Sequence, residues 1–432
     1  MSKIIIIGAG AAGLMAAYKL SKAGKSVVVL EAQDRLGGRI HTITGTSFSV
    51  PIEMGAEFIH GDLPVTIELL KEANIPYSES GGSFWNANGG KLNRGFGMLR
   101  DWNVLEKALT ELKEDIAIDE FLSNYLGEDK YAETKAFVKG FVQGYDAADT
   151  SRASTFTFRS EWLDMDDSAQ YRIEGGYGKM IDYMANECKK AGGEIYTSTV
   201  VKQIKWSRGN VTVTTNNKLF DAEKVIVTIP AGVLLADAGS EGAINFVPAI
   251  PGKMKDFKAI GYGNAMKVFL QFKKAFWKED DFSKKFGKEI KSLGFIVSGA
   301  PVPTWWTQAP NDTSLLTGWI GGPGTAKFKG QREEEVVNAA LASLASIFDT
   351  DIEMLQQQLT ASKVADWVEN PFTRGAYTFT TVDIANVKNS LAEPIEDTLY
   401  FAGEAFYFGE GTGTVEAALA SGKKTAERIL AS

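Results

Sequence analysis

The chain opens on an unbroken apolar run. Residues 3–7 carry four consecutive isoleucines, and a β-branched run with no polar alternation reads as a strand covered on both faces. After a glycine-rich turn the period changes to helical. Leu14, Ala17 and Leu20 share one face, and the pattern stops near Gly24. Ser26–Leu30 is a second buried run, closed by Glu31. Alternation predicts a strand over 211–215, and a short apolar run predicts a buried one over 225–228. Residues 265–272, AMKVFLQF, form an apolar strand pattern in which Lys267 is out of place. Helical amphipathic periodicity covers 102–122 and Glu333–Phe348. It also covers the C-terminus, where Val415, Ala418, Leu419, Gly422, Ala426, Ile429 and Leu430 trace an apolar stripe. Asn86-Ala87-Asn88-Gly89-Gly90 predicts a hairpin. There is no internal repeat and no low-complexity tract.

Composition narrows the class. With 432 residues there is room for two or three domains, and 44% hydrophobic with 23% charged residues is ordinary for a soluble globular protein. A net charge of −8 disfavours nucleic acid and anionic membrane; simple solubility accounts for it, and it is compatible with a cationic substrate. One cysteine, Cys188, and two histidines, His41 and His60, leave no disulfide within one chain and no cysteine or multi-histidine metal site. No metal is expected. No 18-residue apolar window appears, and the first residues run straight into a strand without room for a signal peptide. A cytoplasmic location, away from the membrane, is the expectation.

The turn after the first strand reads Gly8-Ala9-Gly10-Ala11-Ala12-Gly13. Each glycine has a task at a dinucleotide: Gly8 for the tight turn, Gly10 for close approach of backbone to pyrophosphate, Gly13 for helix packing on the strand. The helix N-terminus offers amide N–H groups to phosphate. Glu31, 18 residues beyond Gly13, is placed to accept from a ribose hydroxyl. Ala12 and Ala32 belong to the same expected contact set. An acid here disfavours a 2′-phosphate but does not choose between NAD and FAD.

Asp34-Arg35-Leu36-Gly37-Gly38-Arg39 chooses. Arg35 and Arg39, separated by a Gly-Gly turn that includes Gly38, can bring guanidinium groups near a pyrophosphate. This run resembles the flavin amine oxidase superfamily: monoamine and polyamine oxidases, lysine-specific histone demethylases, L-amino-acid oxidases and related desaturases. Further segments resemble it in order along nearly the whole chain: 53–61 (EMGAEFIHG), 174–178 (EGGYG), 199–204, 224–234 (KVIVTIPAGVL), 263–277, 367–377 (WVENPFTRGAY) and 399–430. The resemblance implies an α/β fold. An FAD/NAD(P)-binding Rossmann-like domain of the glutathione-reductase type would comprise residues 1–72, 173–240 and 372–432. An interleaved α+β substrate-binding domain of the amine oxidase type would comprise 73–172 and 241–371.

It also implies a site. Lys267 matches the family lysine that reaches flavin N5 through a water. Tyr377 matches one wall of an aromatic cage before the flavin; a core tyrosine is the plainer reading. The second cage position falls on Thr414, and Glu416-Ala417 stand where polyamine oxidases have His-Gly, so the two-tyrosine cage is in doubt. Ala376 stands where mammalian monoamine oxidases have a flavin-linked cysteine, which implies non-covalent FAD. Gly55 and Ala56 would pass the flavin ring, Val201 would meet the adenine, and Trp367 would pack on the ring. Gly403 and Glu404 would lie near the ribityl chain. Gly413, Thr414 and Val415 would open a helix whose dipole faces the flavin. Glu57, which also belongs to the expected cofactor contacts, and His60 would attract an amine or else lie in an exposed loop with no substrate role, and the acidic run Asp164, Asp166 and Asp167 offers a cation attractor or a solvated loop. Phe84, Trp85, Trp305 and Trp306 either line a tunnel or fill a core.

The leading reading is a soluble FAD-dependent oxidase of a primary or secondary amine, giving an imine and then a carbonyl product while O2 becomes H2O2. Polyamine oxidase, L-amino-acid oxidase, and a non-amine desaturase or dehydrogenase are the alternatives, with a non-catalytic FAD-binding scaffold behind them. The absence of a coiled-coil tower insertion argues against a chromatin demethylase. The sequence leaves the amine open, and a homodimer stands among the assemblies it allows.

Overall fold

Lys3–Ile7 is the middle strand of a five-stranded sheet. The order is Glu194–Tyr196, Ser26–Leu30, Lys3–Ile7, Lys224–Val227, Leu399–Phe401, and every pairing is parallel. The computed structural model describes residues 3–45, 47–88, 91–95, 101–163, 169–409 and 411–432. Ile4, Ile6, Val27 and Val29 point to one side, into a core shared with the helices Ala11–Lys22, Gly178–Lys190 and Val415–Ala431. Ile5, Ile7, Val28 and Leu30 point to the other, against Val201, Ile204, Val211, Val213 and Phe220. Both faces are therefore apolar, and the strands show no alternation. The second core is closed by a four-stranded sheet ordered Leu219–Ala222, Asn210–Thr215, Val201–Ser207, Asn245–Val247.

A seven-stranded sheet stands apart, ordered Leu359–Asp366, Ala265–Phe272, Leu315–Gly321, Thr304–Trp306, Leu293–Ser298, Ser83–Asn88, Lys91–Arg94. Its last pair is the expected hairpin, with Trp85 opposite Arg94. The helix Glu333–Phe348 covers one face and joins its core. Helices Trp102–Glu111, Ile118–Tyr125, Ala132–Tyr145 and Thr155–Leu163 build a separate apolar cluster. Among the described residues no helix is long and apolar enough to cross a membrane.

The stretch 102–122 is not one helix. It stops at Glu111 and resumes at Ile118 because the intervening backbone is held by residues 153–156. Asp115 accepts from Ser154 Oγ at 2.7 Å and Phe156 N at 3.0 Å, and Ile118 N donates to Ala153 O. On the C-terminal helix Leu419, Gly422, Ala426 and Ile429 of the stripe read along the sequence are buried, and Val415 and Ala418 pack against the core. Leu430 is the exception at 40% exposed, and Glu416, Ala417 and Ser421 are buried besides. The helix lies so close to Ala11–Lys22 that a Cβ on Gly422 would sit 2.2 Å from Ala12 O.

Glu416 is a buried carboxylate with a structural task. It accepts from Val65 N at 2.9 Å, Thr66 N at 2.7 Å and Thr66 Oγ1 at 2.7 Å. These donors open the helix Pro64–Glu72, whose own N-cap, Leu63, has no capping side chain. Removing such an acceptor strands buried donors, at a cost on the order of 2 kcal/mol. Glu416→Ala is expected to lower the urea denaturation midpoint accordingly, and Glu416→Gln to lose less. Equal midpoints for wild type and Glu416→Ala would refute the capping role.

Candidate functional site

One cavity of about 1840 Å³ runs from the glycine turn after Lys3–Ile7 to the inner face of the seven-stranded sheet. Small-ligand pockets are commonly about 300–1,000 Å³, so this one has room for a large cofactor together with a substrate. It opens at the carboxyl ends of the parallel strands, where α/β sheets bind ligands.

At the dinucleotide end, Gly8, Gly10, Ala11 and Ala12 form the wall. Gly8 has φ +103°, and a Cβ on Gly13 would sit 2.0 Å from Gly8 O, so neither tolerates a side chain. Glu31 ends its strand buried and accepts from Ala9 N at 2.7 Å and Gln33 N at 2.9 Å. Burial raises its pKa against those hydrogen bonds. Ala32, Gly38 and Val201 line the same end. The turn, buried acid and helix N-terminus fit a dinucleotide.

The two arginines divide. Arg39 is in the lining and donates to Ala376 O at 2.6 Å and Glu404 Oε1 at 2.7 Å. Arg35 lies outside the described lining. Its guanidinium bonds to Leu36 O, Gly38 O and Ile40 O, bracing its own loop. Glu404 also accepts from Thr378 N and the Thr378 hydroxyl, so one buried carboxylate joins residues 39, 378 and 404.

Lys267 is 2% exposed on a strand whose eight residues are all buried. It is not an edge lysine: its strand is flanked by Leu359–Asp366 and Leu315–Gly321. Its Nζ donates to Glu53 O at 2.9 Å, Gly55 O at 2.8 Å and Glu57 Oε2 at 3.0 Å. Trp319 lies directly opposite it in register, and the Trp319 ring stacks on Tyr377 at 6.3 Å and 13°. Two neighbouring carbonyls fix these rings: Trp319 Nε1 donates to Gly144 O and Tyr377 Oη to Tyr145 O, each at 2.7 Å. Burial raises the Tyr377 pKa well above its usual value, so the phenol stays neutral. Trp367 donates from Nε1 to Met54 O at 2.9 Å and packs over Gly55, where a Cβ would meet the ring at 3.1 Å. Gly55, Ala56, Ala376, Gly403, Gly413 and Val415 complete this wall. Thr414 is in it too, but as the N-cap of Val415–Ala431: its hydroxyl accepts from Ala417 N at 3.2 Å and donates to Gly411 O.

Glu57 lines the cavity, yet protein donors engage both its oxygens. Oε1 accepts from Arg172 Nε at 3.1 Å, Trp306 Nε1 at 2.9 Å and Gln308 Nε2 at 3.2 Å, and Oε2 accepts from Lys267. Burial works to raise its pKa, and the Lys267 and Arg172 charges outweigh it, so the carboxyl sits below its ordinary range. His60 lines the cavity with its ring 6.0 Å from Phe58 and 6.0 Å from Tyr145. Burial pushes its pKa down to about 4, which leaves it neutral at pH 7. The four aromatics part by strand alternation. Trp85 and Trp305 are in the core behind the sheet, and Phe84 and Trp306 face the cavity. Asp164, Asp166 and Asp167 lie outside the described residues.

Several lining and supporting groups escaped the sequence reading. Asp146 and Glu161 lie in the wall near Tyr377 and share a hydrogen bond. Burial drives both carboxyl pKa values up, Glu161 to about 7. Glu161 Oε2 is buried and receives no donor among the described residues. Burial likewise pushes Glu53 up to about 7, against hydrogen bonds from Tyr177 N and Thr42. Arg172 lies in the short, mixed strand Gln170–Ile173, where a charge does not stand out as Lys267 does in its apolar run. Nothing in the sequence marked Asp146 or Glu161, which meet only when two helices pack. No group of three or more metal-ligating side chains occurs among the described residues.

Comparison with known proteins agrees with this geometry. The family model for flavin containing amine oxidoreductases matches residues 11–430. Polyamine oxidase 4 of Oryza sativa subsp. japonica is 25% identical, over 98% of this chain and 88% of its own length. Lysine-specific histone demethylase 2 of Homo sapiens is 28% identical over 99% of this chain, which spans 53% of that protein. Lysine-specific histone demethylase 1 homolog 3 of Arabidopsis thaliana is 26% identical, and the chain spans 30% of its length. A putrescine oxidase solved with putrescine bound superposes with a TM-score of 0.81 at 22% identity, covering 100% of this chain and 99% of the other. Cyclohexylamine oxidase from Brevibacterium oxydans IH-35A also gives 0.81, at 20% identity, covering 99% and 98%. The protein belongs to the flavin-containing amine oxidoreductase family.

Proposed function

We propose that the protein is an FAD-dependent oxidase of amines that turns a primary or secondary amine into an imine while O2 is reduced to H2O2. The observation that carries this is the shared wall of Lys267, Trp319 and Tyr377, set against Arg39, Glu404 and the N-terminus of Val415–Ala431 in a single cavity. FAD, when bound, would supply the acceptor for a hydride equivalent and the route of its electrons to O2. Gly8 to Gly13, Glu31 and Val201 would hold its dinucleotide end; Arg39, Gly55, Ala56, Trp367, Gly403 and Glu404 would hold the rest. Ala376 at the wall supplies no atom for a covalent link, and the cofactor is held by non-covalent contacts. We take residues 1–72, 173–240 and 372–432 as the FAD-binding part and the two intervening segments as the substrate part.

The remaining chemistry belongs to the wall. The neutral rings of Tyr377 and Trp319 present π-faces that orient an amine and exclude water from it. The substrate reacts as free amine, and no side chain is needed as general base; His60 is neutral and hemmed by aromatic rings. Arg39 is the sole arginine in the described lining and is paired with Glu404, so no free guanidinium is offered to a substrate carboxylate. This favours amines over amino acids.

The Asp146–Glu161 pair favours a second, narrower reading, oxidation of a diamine or polyamine. Two acidic residues in the wall suit a second ammonium group.

Peroxide release should follow addition of alkyl or aromatic monoamines, diamines or polyamines to the holoenzyme, and not of amino acids. Turnover of amino acids alone would overturn the amine reading. Tyr377→Ala should lower kcat/KM by about tenfold, the equivalent of roughly 1.4 kcal/mol for a lost ring face. Glu161, pushed up to about 7 by burial, is charged above that pH and loses its charge below it. The ratio of kcat/KM for putrescine to that for butylamine should therefore fall as the pH drops from 8 to 6, and be flat in Glu161→Gln. A wild-type ratio independent of pH would remove the second reading.

A further inference from the structure

We propose that Glu57 is a positioning residue that acts through Lys267, and that it does not bind substrate. An ammonium has three N–H donors. For Lys267 they are taken by Glu53 O, Gly55 O and Glu57 Oε2, at 2.8–3.0 Å. Two of these acceptors are main-chain atoms of the segment that carries Glu57. The third is the carboxylate itself, 6% exposed and also bound by Arg172, Trp306 and Gln308.

The arrangement does two things. It ties the cavity-lining segment Gly55-Ala56 to the strand Ala265–Phe272 across a gap of more than two hundred residues in sequence. It also sets one negative charge between two buried cations, because Arg172 is held in turn by Ala309 O and Thr307 O and lies over the Phe58 ring at 4.4 Å. Glu57 therefore decides both where the Lys267 ammonium points and how much positive charge that wall presents. A substrate ammonium would have to displace Lys267 or Arg172 to reach it, leaving a buried charge without its partner.

The proposal rests on the flavin lying against the Lys267 wall, and the test separates the two. Glu57→Gln, Lys267→Met and the double variant are prepared as FAD holoenzymes. Three quantities are measured: the flavin midpoint potential, the rate of flavin reoxidation by O2 in single turnover, and KM for an amine. Glu57→Gln leaves two cations without a counter-ion, so the potential should rise. Reoxidation should change by about tenfold or more, and KM by less than about twofold, tenfold corresponding to about 1.4 kcal/mol. In the Lys267→Met background the Glu57→Gln change should alter reoxidation less than about twofold, since the group it positions is gone. A raised KM with unchanged potential and reoxidation would overturn the proposal in favour of substrate binding. Equal effects of Glu57→Gln in both backgrounds would overturn it too. If Lys267→Met itself leaves the potential and reoxidation untouched, the flavin does not lie against that wall and the underlying reading fails. Should Glu57→Gln not fold, Glu57→Asp keeps the charge and shortens the reach. It should slow reoxidation several-fold at near wild-type potential, and wild-type behaviour in all three measurements would overturn the proposal.

Discussion

Close approach of backbones is the constraint on which the rest of the molecule depends. The helix Ala11–Lys22 lies against its own entering strand so tightly that Gly13 has no room for a methyl group beside Gly8 O, and against the C-terminal helix so tightly that Gly422 has none beside Ala12 O. Interiors pack at crystal-like density and do not stretch to admit extra atoms. With this helix pinned on two sides, its N-terminus is fixed at the carboxyl ends of the parallel strands. The long cavity starts there. The N-terminus of Val415–Ala431 is held beside it by the same contact, so both ends of the chain are set with respect to one cleft.

Much of that framework was legible in the sequence because it is local. The strand, glycine turn, helix and second strand follow one another within thirty residues, and their periods and turn residues agree with each other. Lys267 was legible for a different reason: a lysine inside AMKVFLQF contradicts its surroundings, and such contradictions mark sites. What stayed hidden depends on contacts made across the chain. The division of labour between Arg35 and Arg39 turns on whether a guanidinium folds back on Leu36, Gly38 and Ile40 or reaches Glu404, which spacing does not encode. Asp146 caps the end of one helix and Glu161 lies on another, and no local pattern predicts how the two pack. Glu416 looked like a departure from a family pattern and proves to close the end of another helix, 350 positions away.

Charge is handled consistently in the interior. Two buried acids of the cavity wall form ion pairs, Glu404 with Arg39 and Glu57 with Lys267 and Arg172. Acids without such a partner, Asp146 and Glu161, are pushed toward the neutral form by burial instead. The wall thus contains ion pairs at the end where the flavin is expected and titratable carboxyls farther along. The first kind holds geometry. The second kind responds to pH and to whatever cation enters.

The alternation of side chains along the strands Ser83–Asn88 and Thr304–Trp306 divides neighbours by duty. Trp85 and Trp305 face the core, while Phe84 and Trp306, one position away, face the cavity. A substitution that reshapes the cavity at Phe84 therefore need not disturb the packing that keeps the sheet together, and a drift in the core at Trp305 need not touch the chamber. Two-sided strands of this kind let the range of molecules a protein accepts change over evolutionary time while its stability stays put. Trp306 is the exception, because its ring nitrogen also holds Glu57. Variation in the chamber should therefore be freest on the Phe84 side and most constrained where an aromatic wall doubles as a ligand of the buried charge cluster.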